Sequence, residues 1–314
     1  MSWCALVSLI SDGTYKLAAS QQNLDSLCAE YGIQWDRAAS ASRIAEERDA
    51  FPLAEVDYSE ANVAIDFASL GWKNSKRVLG ASLFADVSGF TKFVEDAATD
   101  KDKAAALQVF HVIRKELTGV ATSDQGGVHV QFQGDRSQII CHLPKGEAAT
   151  IAAEAVETAI GMQSSFEQVI KPEMPEAAPL TLKIGIDMGT TLASRLGAHG
   201  DRDNTCLGVP VQNAANIEER CGDAMIGISR TVFDALEGSD LQKHFKYEKA
   251  HDCWIARGLT WEKIDAAEDE KSYTLEKALT IGVIAAGAAG VAYAVSKAKE
   301  NEERRVQPSR TYGP

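Results

Sequence analysis

Two aspartates lie where the surrounding residue types favour binding of a metal ion and a phosphate. Asp86 ends an apolar run that starts at Val78 and predicts a strand, and residues 88–91 read Ser-Gly-Phe-Thr, a pattern typical of a turn that opens a helix. A carboxylate beside the exposed backbone N–H groups of such a turn can hold a divalent cation and a phosphate together. The second aspartate, Asp135, lies in the Gly-Asp turn of a hairpin predicted over residues 128–143.

The chemistry expected of this pair is metal-assisted phosphoryl transfer. A Gly-Asp turn is usually only a turn, but neighbouring strands of this spacing would bring Asp135 beside Asp86. Two carboxylates at neighbouring strand ends predict two divalent metal ions, Mn²⁺ or Mg²⁺. Such a pair of ions stabilises both the attacking and the leaving oxygen of an in-line displacement.

Composition narrows the class of protein. A formal net charge of −13 and a pI near 5.0 argue against a nucleic-acid partner, which requires a basic face. The six cysteines are scattered and form no CxxC pair, so reduced thiols in a cytoplasmic protein are expected. The N-terminus shows no positive region ahead of an apolar core, and no secretory signal is expected.

The pattern of strands and helices predicts three parts in an α+β protein. Residues 1–77 form an N-terminal extension of unknown role with a predicted helix over Ala38–Asp49, and residues 269–314 form a tail. Residues 78–268 form the domain that carries the candidate chemistry. Its predicted elements after the first strand are a helix over 104–117, the hairpin, a helix over 147–169, a strand over 180–188 with a glycine-rich turn after it, a helix over 209–221 and a strand over 224–229.

The tail contains an uncharged segment, residues 278–296, followed by a charged C-terminus expected to be disordered. Small residues recur in it at four-residue spacing, at Gly282, Ala286 and Gly290, which suits close packing of helices in lipid. Two interpretations stay open at this point: an anchor in the inner membrane, or a self-associating apolar helix.

Five segments, in order along the chain, together resemble the catalytic domain of class III nucleotidyl cyclases, the adenylate and guanylate cyclase family. The resemblance implies a ferredoxin-like α+β fold and a head-to-tail homodimer with shared active sites at its interface. The segments are FADVSGFTKF, QFQGDRSQII, LKIGIDMGTTLASRLG, TCLGVPVQNAANIEERCG and WIARG.

The same resemblance implies roles for individual residues. One protomer would supply the metal ligands and the phosphate-binding turn, and the other would supply the groups that read the base and stabilise the transition state. The implied metal ligands are Asp86, Asp135 and the backbone of Val87; the substrate-binding residues are Ser88, Gly89, Phe90, Thr91, Gln131, Thr205 and Arg257; the catalytic residues are Gln212, Asn216 and Arg257.

The chain departs from the family pattern at the base-reading pair. Adenylate cyclases carry Lys and Asp at these positions and guanylate cyclases carry Glu and Cys, whereas this chain has Gln131 and Thr205. An amide and a hydroxyl can each donate and accept a hydrogen bond, which suits the edge of uracil or that of cytosine. Thr at the second position also occurs in bacterial adenylate cyclases.

A further departure affects the transition state. Asn216 stands where the family has an arginine that stabilises the phosphorane, four residues after Gln212. Three explanations stay open: Asn216 suffices together with Arg257 and two metals, Arg195 or Arg202 takes over, or the site is inactive.

These departures resemble the pyrimidine cyclases of bacterial Pycsar anti-phage defence. That resemblance implies conversion of UTP to cyclic UMP and diphosphate, with a separate effector protein that responds to the cyclic nucleotide. The alternatives are a cytidylate cyclase, a bacterial adenylate cyclase, and a catalytically inactive cyclase-like module for dimerisation or sensing.

Overall fold

The structure is a computed structural model that describes residues 35–51, 56, 58–198 and 201–267. The chain divides into two compact units, residues 1–56 and 57–314. In the first unit the described residues form helix α1, Arg37–Ala50, whose N-cap Asp36 accepts a hydrogen bond from the backbone N–H of Ala39 at 2.8 Å. The helix predicted over 38–49 is therefore confirmed.

The second unit contains, in its described part, an eight-stranded mixed sheet with helices on it. The strands are β1 (Lys76–Ser88), β2 (Val128–Gln133), β3 (Arg136–Cys141), β4 (Thr181–Ala198), β5 (Asp201–Leu207), β6 (Met225–Ile228), β7 (Lys246–Glu248) and β8 (Cys253–Arg257). The helices are α2 (Phe90–Glu95), α3 (Asp100–Gly119), α4 (Ala148–Ser165), α5 (Lys171–Glu173), α6 (Val209–Arg220) and α7 (Arg230–Ala235), and residues 261–267 are also helical.

The strand order is β2-β3-β1-β4-β6-β8-β7, with β5 paired to β4 off this path. The pairing of β4 with β6 is parallel, and the other strand pairs are antiparallel. The first part, β1-α3-β2-β3-α4-β4, gives the spatial order β2-β3-β1-β4, which is that of a ferredoxin-like core. The predicted α+β fold class is confirmed.

The two faces of the sheet have different contents because side chains alternate along each strand. One face packs on α3 and α4 and forms the main hydrophobic core, to which β1 contributes Leu83, Ala85 and Val87. The alternate positions of β1, including Phe84 and Asp86, therefore lie on the opposite face. A smaller apolar cluster, which includes Val130 and Cys206, fills part of that second face.

Helix α6 lies on the second face, directly over β4. A Cβ atom placed on Gly185 would collide with the backbone nitrogen of Glu218 and the carbonyl oxygen of Ala214. Glycine at this position thus lets the helix backbone approach the strand more closely than any side chain would allow.

Strand β4 is much longer than predicted. The prediction of a glycine-rich turn after Met188 is wrong, because the strand continues to Ala198. It pairs with β1, where Gly189 lies opposite Gly80, and then with β5. Glycine weakens a strand locally, but β1 up to Ala193 and β5 from Leu192 onwards provide ladder partners for the extended backbone here, and Thr190 and Thr191 suit a strand.

The uncharged segment 278–296 lies outside the described residues, so its two interpretations stay predictions. Within the described ranges, which stop at residue 267, no helix has the length and apolar character that crossing a bilayer requires.

We expect Gly185→Ala to lower the free energy of unfolding by about 1–3 kcal/mol or more, since overpacking forces α6 away from β4. The matched control is Gly119→Ala at the end of α3, where φ is −58° and a Cβ would meet nothing within 4 Å. That substitution should raise stability by about 0.4–1 kcal/mol. Urea unfolding measures both, and equal stability of the two variants would contradict the close approach of α6.

Candidate functional site

The structure brings the two predicted metal-binding aspartates together. The β1–β3 pairing sets Ala85 opposite Ser137, so Asp86 and Arg136 follow as neighbours and Asp135 lies in the turn next to them. Burial raises the pKa of Asp135 above its usual 3.8, and the negative charge of Asp86 raises it further. The strand register and this effect of one charge on the other place the two carboxyl groups near each other.

The donor set fits a divalent cation that also binds phosphate. Asp86 and Asp135 supply hard carboxylate oxygens, and no group of three or more acidic, His or Cys ligands occurs among the described residues. The other ligands of such a cation would come from backbone carbonyl groups such as that of Val87, from water and from substrate phosphates. Mg²⁺ in phosphate-transfer sites is typically bound in this way, with one or two carboxylates.

The predicted phosphate-binding turn follows Asp86 without interruption. Ser88 ends β1, and Gly89 adopts a left-handed conformation with φ of 89°, which glycine accommodates without strain. Phe90 and Thr91 then start α2, and the Phe90 ring stacks on Phe110 of α3 with 4.5 Å between ring centroids. The stack fixes the turn against the body of the domain.

A lysine that the sequence analysis missed lies between this site and α6. Lys183 is the register partner of Asp86 across β1 and β4, and its Nζ atom is 3.1 Å from Asp86 Oδ2. The signal was present in the alternation of residues 182–186, because buried Leu182 and Ile184 on the core face leave Lys183 on the face of Asp86.

Glu218 of α6 completes a cluster of charges beside the aspartates. Its side chain is 1 % exposed, and its two oxygens receive Lys183 Nζ at 2.7 Å and Arg136 Nη1 at 2.8 Å. Burial alone would lower the pKa of both cations, but the hydrogen bond and charge of Glu218 outweigh it and raise them. The sequence analysis missed Arg136 and Glu218 as well, since each looks like an ordinary polar residue of its element.

The two predicted base-reading residues lie on strands that contact each other, β2 and β5. Their chain neighbours Val130 and Cys206 belong to the same apolar cluster. Gln131 Nε2 donates a hydrogen bond to Oε1 of Gln138 at 3.2 Å, and the hydroxyl of Thr205 donates to the carbonyl of Asp203 at 3.3 Å. Their role in reading the base stays a prediction.

The predicted catalytic residues Gln212 and Asn216 form an amide pair on an exposed face of α6, where Gln212 Nε2 donates to Asn216 Oδ1 at 3.1 Å. Arg257, at the end of β8, is paired instead with Glu248 of β7. Strands β1, β4 and β6 separate β8 from the hairpin of Asp135. A single chain thus keeps Arg257 and the aspartates on different parts of its sheet, as the predicted sharing between protomers requires.

The two arginines considered as substitutes for the missing one lie together in the β4–β5 hairpin. Arg195 Nη2 donates to the carbonyl oxygen of Arg202 at 3.4 Å. The contact holds the two residues near each other in that hairpin, and substitution of either for the family's arginine stays one of the three predicted explanations.

We expect Asp135→Asn to raise the melting temperature slightly at neutral pH in metal-free buffer. Because the folded-state pKa of Asp135 is raised, the folded chain binds the proton more tightly than the unfolded chain. Stability therefore falls as pH rises from the unfolded pKa through the raised folded pKa, and that loss persists at neutral pH. The effect is small because the side chain is partly exposed.

The control for this prediction is Asp102→Asn. A hydrogen bond from the Thr99 side chain lowers the pKa of Asp102, so its charge stabilises the fold at neutral pH and its loss should lower the melting temperature. Thermal melts measure both melting temperatures. A lower melting temperature for both variants would contradict the prediction that the negative charge of Asp135 destabilises the fold.

Comparison with known proteins gives a consistent result. Residues 79–276 match the family described as the adenylate and guanylate cyclase catalytic domain. A uridylate cyclase from Pseudomonas aeruginosa is 35 % identical over 179 residues, which is 54 % of this chain and 34 % of the relative. A uridylate cyclase from a Rhizobium species is 34 % identical over 145 residues, 45 % of this chain and 28 % of the relative.

Among solved structures, the fold is similar to a class III adenylyl cyclase-like ATP-binding protein from Pseudomonas aeruginosa. The TM-score is 0.64 at 26 % identity, over 79 % of this chain and 53 % of the other. The matched part of the chain spans about a third of the length of the curated relatives and about half of this structure.

Proposed function

Because the chain belongs to the adenylate and guanylate cyclase catalytic domain family, we propose that it converts UTP to cyclic UMP and diphosphate. The observation that carries the proposal is the pair of neighbouring carboxylates, Asp86 on β1 and Asp135 in the β2–β3 turn, with the predicted phosphate-binding turn directly after Asp86. The curated relatives named uridylate cyclase support the choice of UTP over CTP and ATP.

Two divalent cations held by Asp86 and Asp135 would activate the ribose hydroxyl and neutralise charge on the triphosphate. The chain's own residues bind and orient the substrate. The turn of Ser88, Gly89, Phe90 and Thr91 presents backbone N–H groups to phosphate oxygens, since the first turn of a helix leaves these groups unpaired. Lys183 adds a positive charge 3.1 Å from Asp86.

The base is read, in this proposal, by Gln131 and Thr205. The hydrogen bond to Gln138 engages the amide nitrogen of Gln131, which leaves its carbonyl oxygen to accept from N3–H of uracil. The hydroxyl of Thr205 would then donate to a carbonyl oxygen of the base. A pocket that pairs polar groups in this way discriminates against a base that leaves one of them unpaired.

The active site forms between two protomers in this proposal. The aspartates and the turn come from one chain, and Gln212, Asn216 and Arg257 come from the other. The separation of Arg257 from the hairpin by three strands supports this arrangement. The cyclic nucleotide would act as a second messenger on a separate effector protein in anti-phage defence.

A second candidate function is nucleotide binding without catalysis. Asn216 lacks the charge that the family's arginine supplies to the phosphorane. The similar solved structure is itself named an adenylyl cyclase-like ATP-binding protein. Retention of both aspartates supports catalysis, because binding of a nucleotide alone would not require a site for two metals.

The purified protein with Mn²⁺ should turn over UTP at least roughly tenfold faster than ATP, because an unpaired polar group in the base pocket costs on the order of 1–3 kcal/mol. Chromatography of the products formed from each of the four nucleoside triphosphates measures this. A preference for CTP or ATP would identify the corresponding cyclase instead. Binding of UTP without product would favour the second candidate.

Asp86→Asn should abolish the product in the same assay, since the metal site loses a charged ligand. The matched control is Asp96→Asn, an exposed aspartate just beyond α2, which should retain wild-type turnover. Equal activity of the two variants would remove the metal-dependent mechanism.

Mixing inactive variants tests the shared site. Asp86→Ala with Gln212→Ala should recover about a quarter of wild-type activity, since half of the dimers are mixed and each of these has one intact site. In the control mixture, Asp86→Ala with Asp135→Ala, every chain lacks one of the two metal ligands. No dimer then contains an intact site, and the mixture should stay inactive. No recovery in the first mixture, with dimers present by light scattering, would contradict the arrangement.

A further inference from the structure

The buried carboxylate of Glu218 is the centre of a cluster of charges, and the proposed mechanism gives Glu218 itself no role. It lies near the end of α6 with 1 % of its side chain exposed. Lys183 occupies one of its oxygens at 2.7 Å and Arg136 the other at 2.8 Å. A buried charge of this kind persists only when it is paired, and here it has two partners.

Both partners also lie next to the candidate metal ligands. The ammonium of Lys183 is 3.1 Å from Asp86 Oδ2 while it contacts Glu218. Arg136 directly follows Asp135, and its guanidinium interacts with the charge of Asp86. Each cation therefore has two sets of acidic neighbours, Glu218 on α6 and the two aspartates.

The position of Arg136 is further defined by an aromatic ring and a second acid. Its guanidinium lies 5.2 Å from the ring centroid of Phe84, a neighbour of Asp86 on the same face of β1. Its Nη1 atom is also 3.5 Å from Glu219, whose side chain is 63 % exposed. Glu218 and Glu219 thus contact the same arginine, but only Glu218 is buried and also binds Lys183.

Without the charge of Glu218, Lys183 would retain Asp86 as its carboxylate partner, and Arg136 would retain the exposed Glu219 and the charge of Asp86. If Lys183 and Arg136 were bound more tightly by the aspartates, they would compete with a divalent cation. The side-chain cations and the metal ion are attracted to the same carboxylate oxygens. The removal of one acid from α6 would then weaken metal binding at residues that it does not touch.

We propose that Glu218 is a positioning residue that competes with Asp86 and Asp135 for Lys183 and Arg136, and that its own ion pairs with both cations weaken their hold on these carboxylates and keep them available to divalent cations. The inference rests on the proposed function, because it takes the two aspartates as the metal ligands. It adds that the helix carrying Gln212 and Asn216 also controls the metal site of its own chain.

The test is titration of full-length protein with Mn²⁺ alone, without nucleotide, with free Mn²⁺ measured by electron paramagnetic resonance. Glu218→Gln keeps the size of the side chain and removes its charge, and it should weaken Mn²⁺ binding about tenfold. The matched control, Glu219→Gln, removes one charge from the same helix beside the same arginine and should bind as the wild type does.

Asp86→Asn separates failure of this inference from failure of the proposed metal site. Weak binding by Asp86→Asn with wild-type binding by Glu218→Gln would overturn the inference and leave the metal site intact. Wild-type binding by Asp86→Asn would overturn both. Equally weakened Mn²⁺ binding by Glu218→Gln and Glu219→Gln would mean that loss of any negative charge from α6 has the same effect. This result would also overturn the role of Glu218.

A double variant covers the case in which Glu218→Gln does not fold. Lys183→Met/Glu218→Gln removes the buried acid together with one of the cations that needs it, and circular dichroism verifies its fold. Since the competing ammonium is gone, this variant should bind Mn²⁺ at least as tightly as the wild type. Weakened binding in the folded double variant would overturn the proposal.

Discussion

The close contact of α6 with β4 at Gly185 is the constraint on which the site depends. The helix backbone reaches the strand at Glu218 and Ala214 because position 185 has no side chain. Lys183 lies two residues before this contact, on the same face of β4. The buried carboxylate of Glu218 therefore meets the ammonium of Lys183, and through it Asp86, only while the helix stays this close to the sheet.

The pairing of β1 with β4 supports the same arrangement from the other side. The two strands pair over all thirteen residues of β1, from Lys76 to Ser88. A shift of register by one residue would move Lys183 to the hydrophobic face and bury an unpaired charge in the main core. The large apolar surface on that face fixes the register, so hydrophobic packing on one side of the sheet positions the charges on the other.

Helix α6 consequently has two functions on two faces. Its exposed face carries the amide pair of Gln212 and Asn216, and its buried face carries Glu218. Any movement of the helix towards or away from the sheet would change both faces together. In the proposed dimer, such a movement would connect the metal site of one chain to Gln212 and Asn216, with which the same chain completes the active site of its partner.

The sequence by itself determined the local features. An apolar run that ends in Asp86, a Gly-Asp turn at Asp135 and a helix over 209–221 are each specified by residues close together in the chain. Backbone propensities and turn chemistry act at this range, so these elements and the α+β fold class could be predicted, with element ends differing from the structure by a few residues. The family resemblance supplied the roles that such local rules do not.

Only the tertiary structure decided which charges meet. Arg136 and Glu218 are 82 residues apart, and their contact depends on the strand register and on the close seating of α6. The extension of β4 beyond Met188 is decided in the same way, because β1 and β5 provide backbone partners for a stretch that is interrupted by Gly189 and Gly197. A charge in the sequence has no fixed partner until the fold sets its distance and burial, and at this site those quantities determine which oxygens are available to a metal.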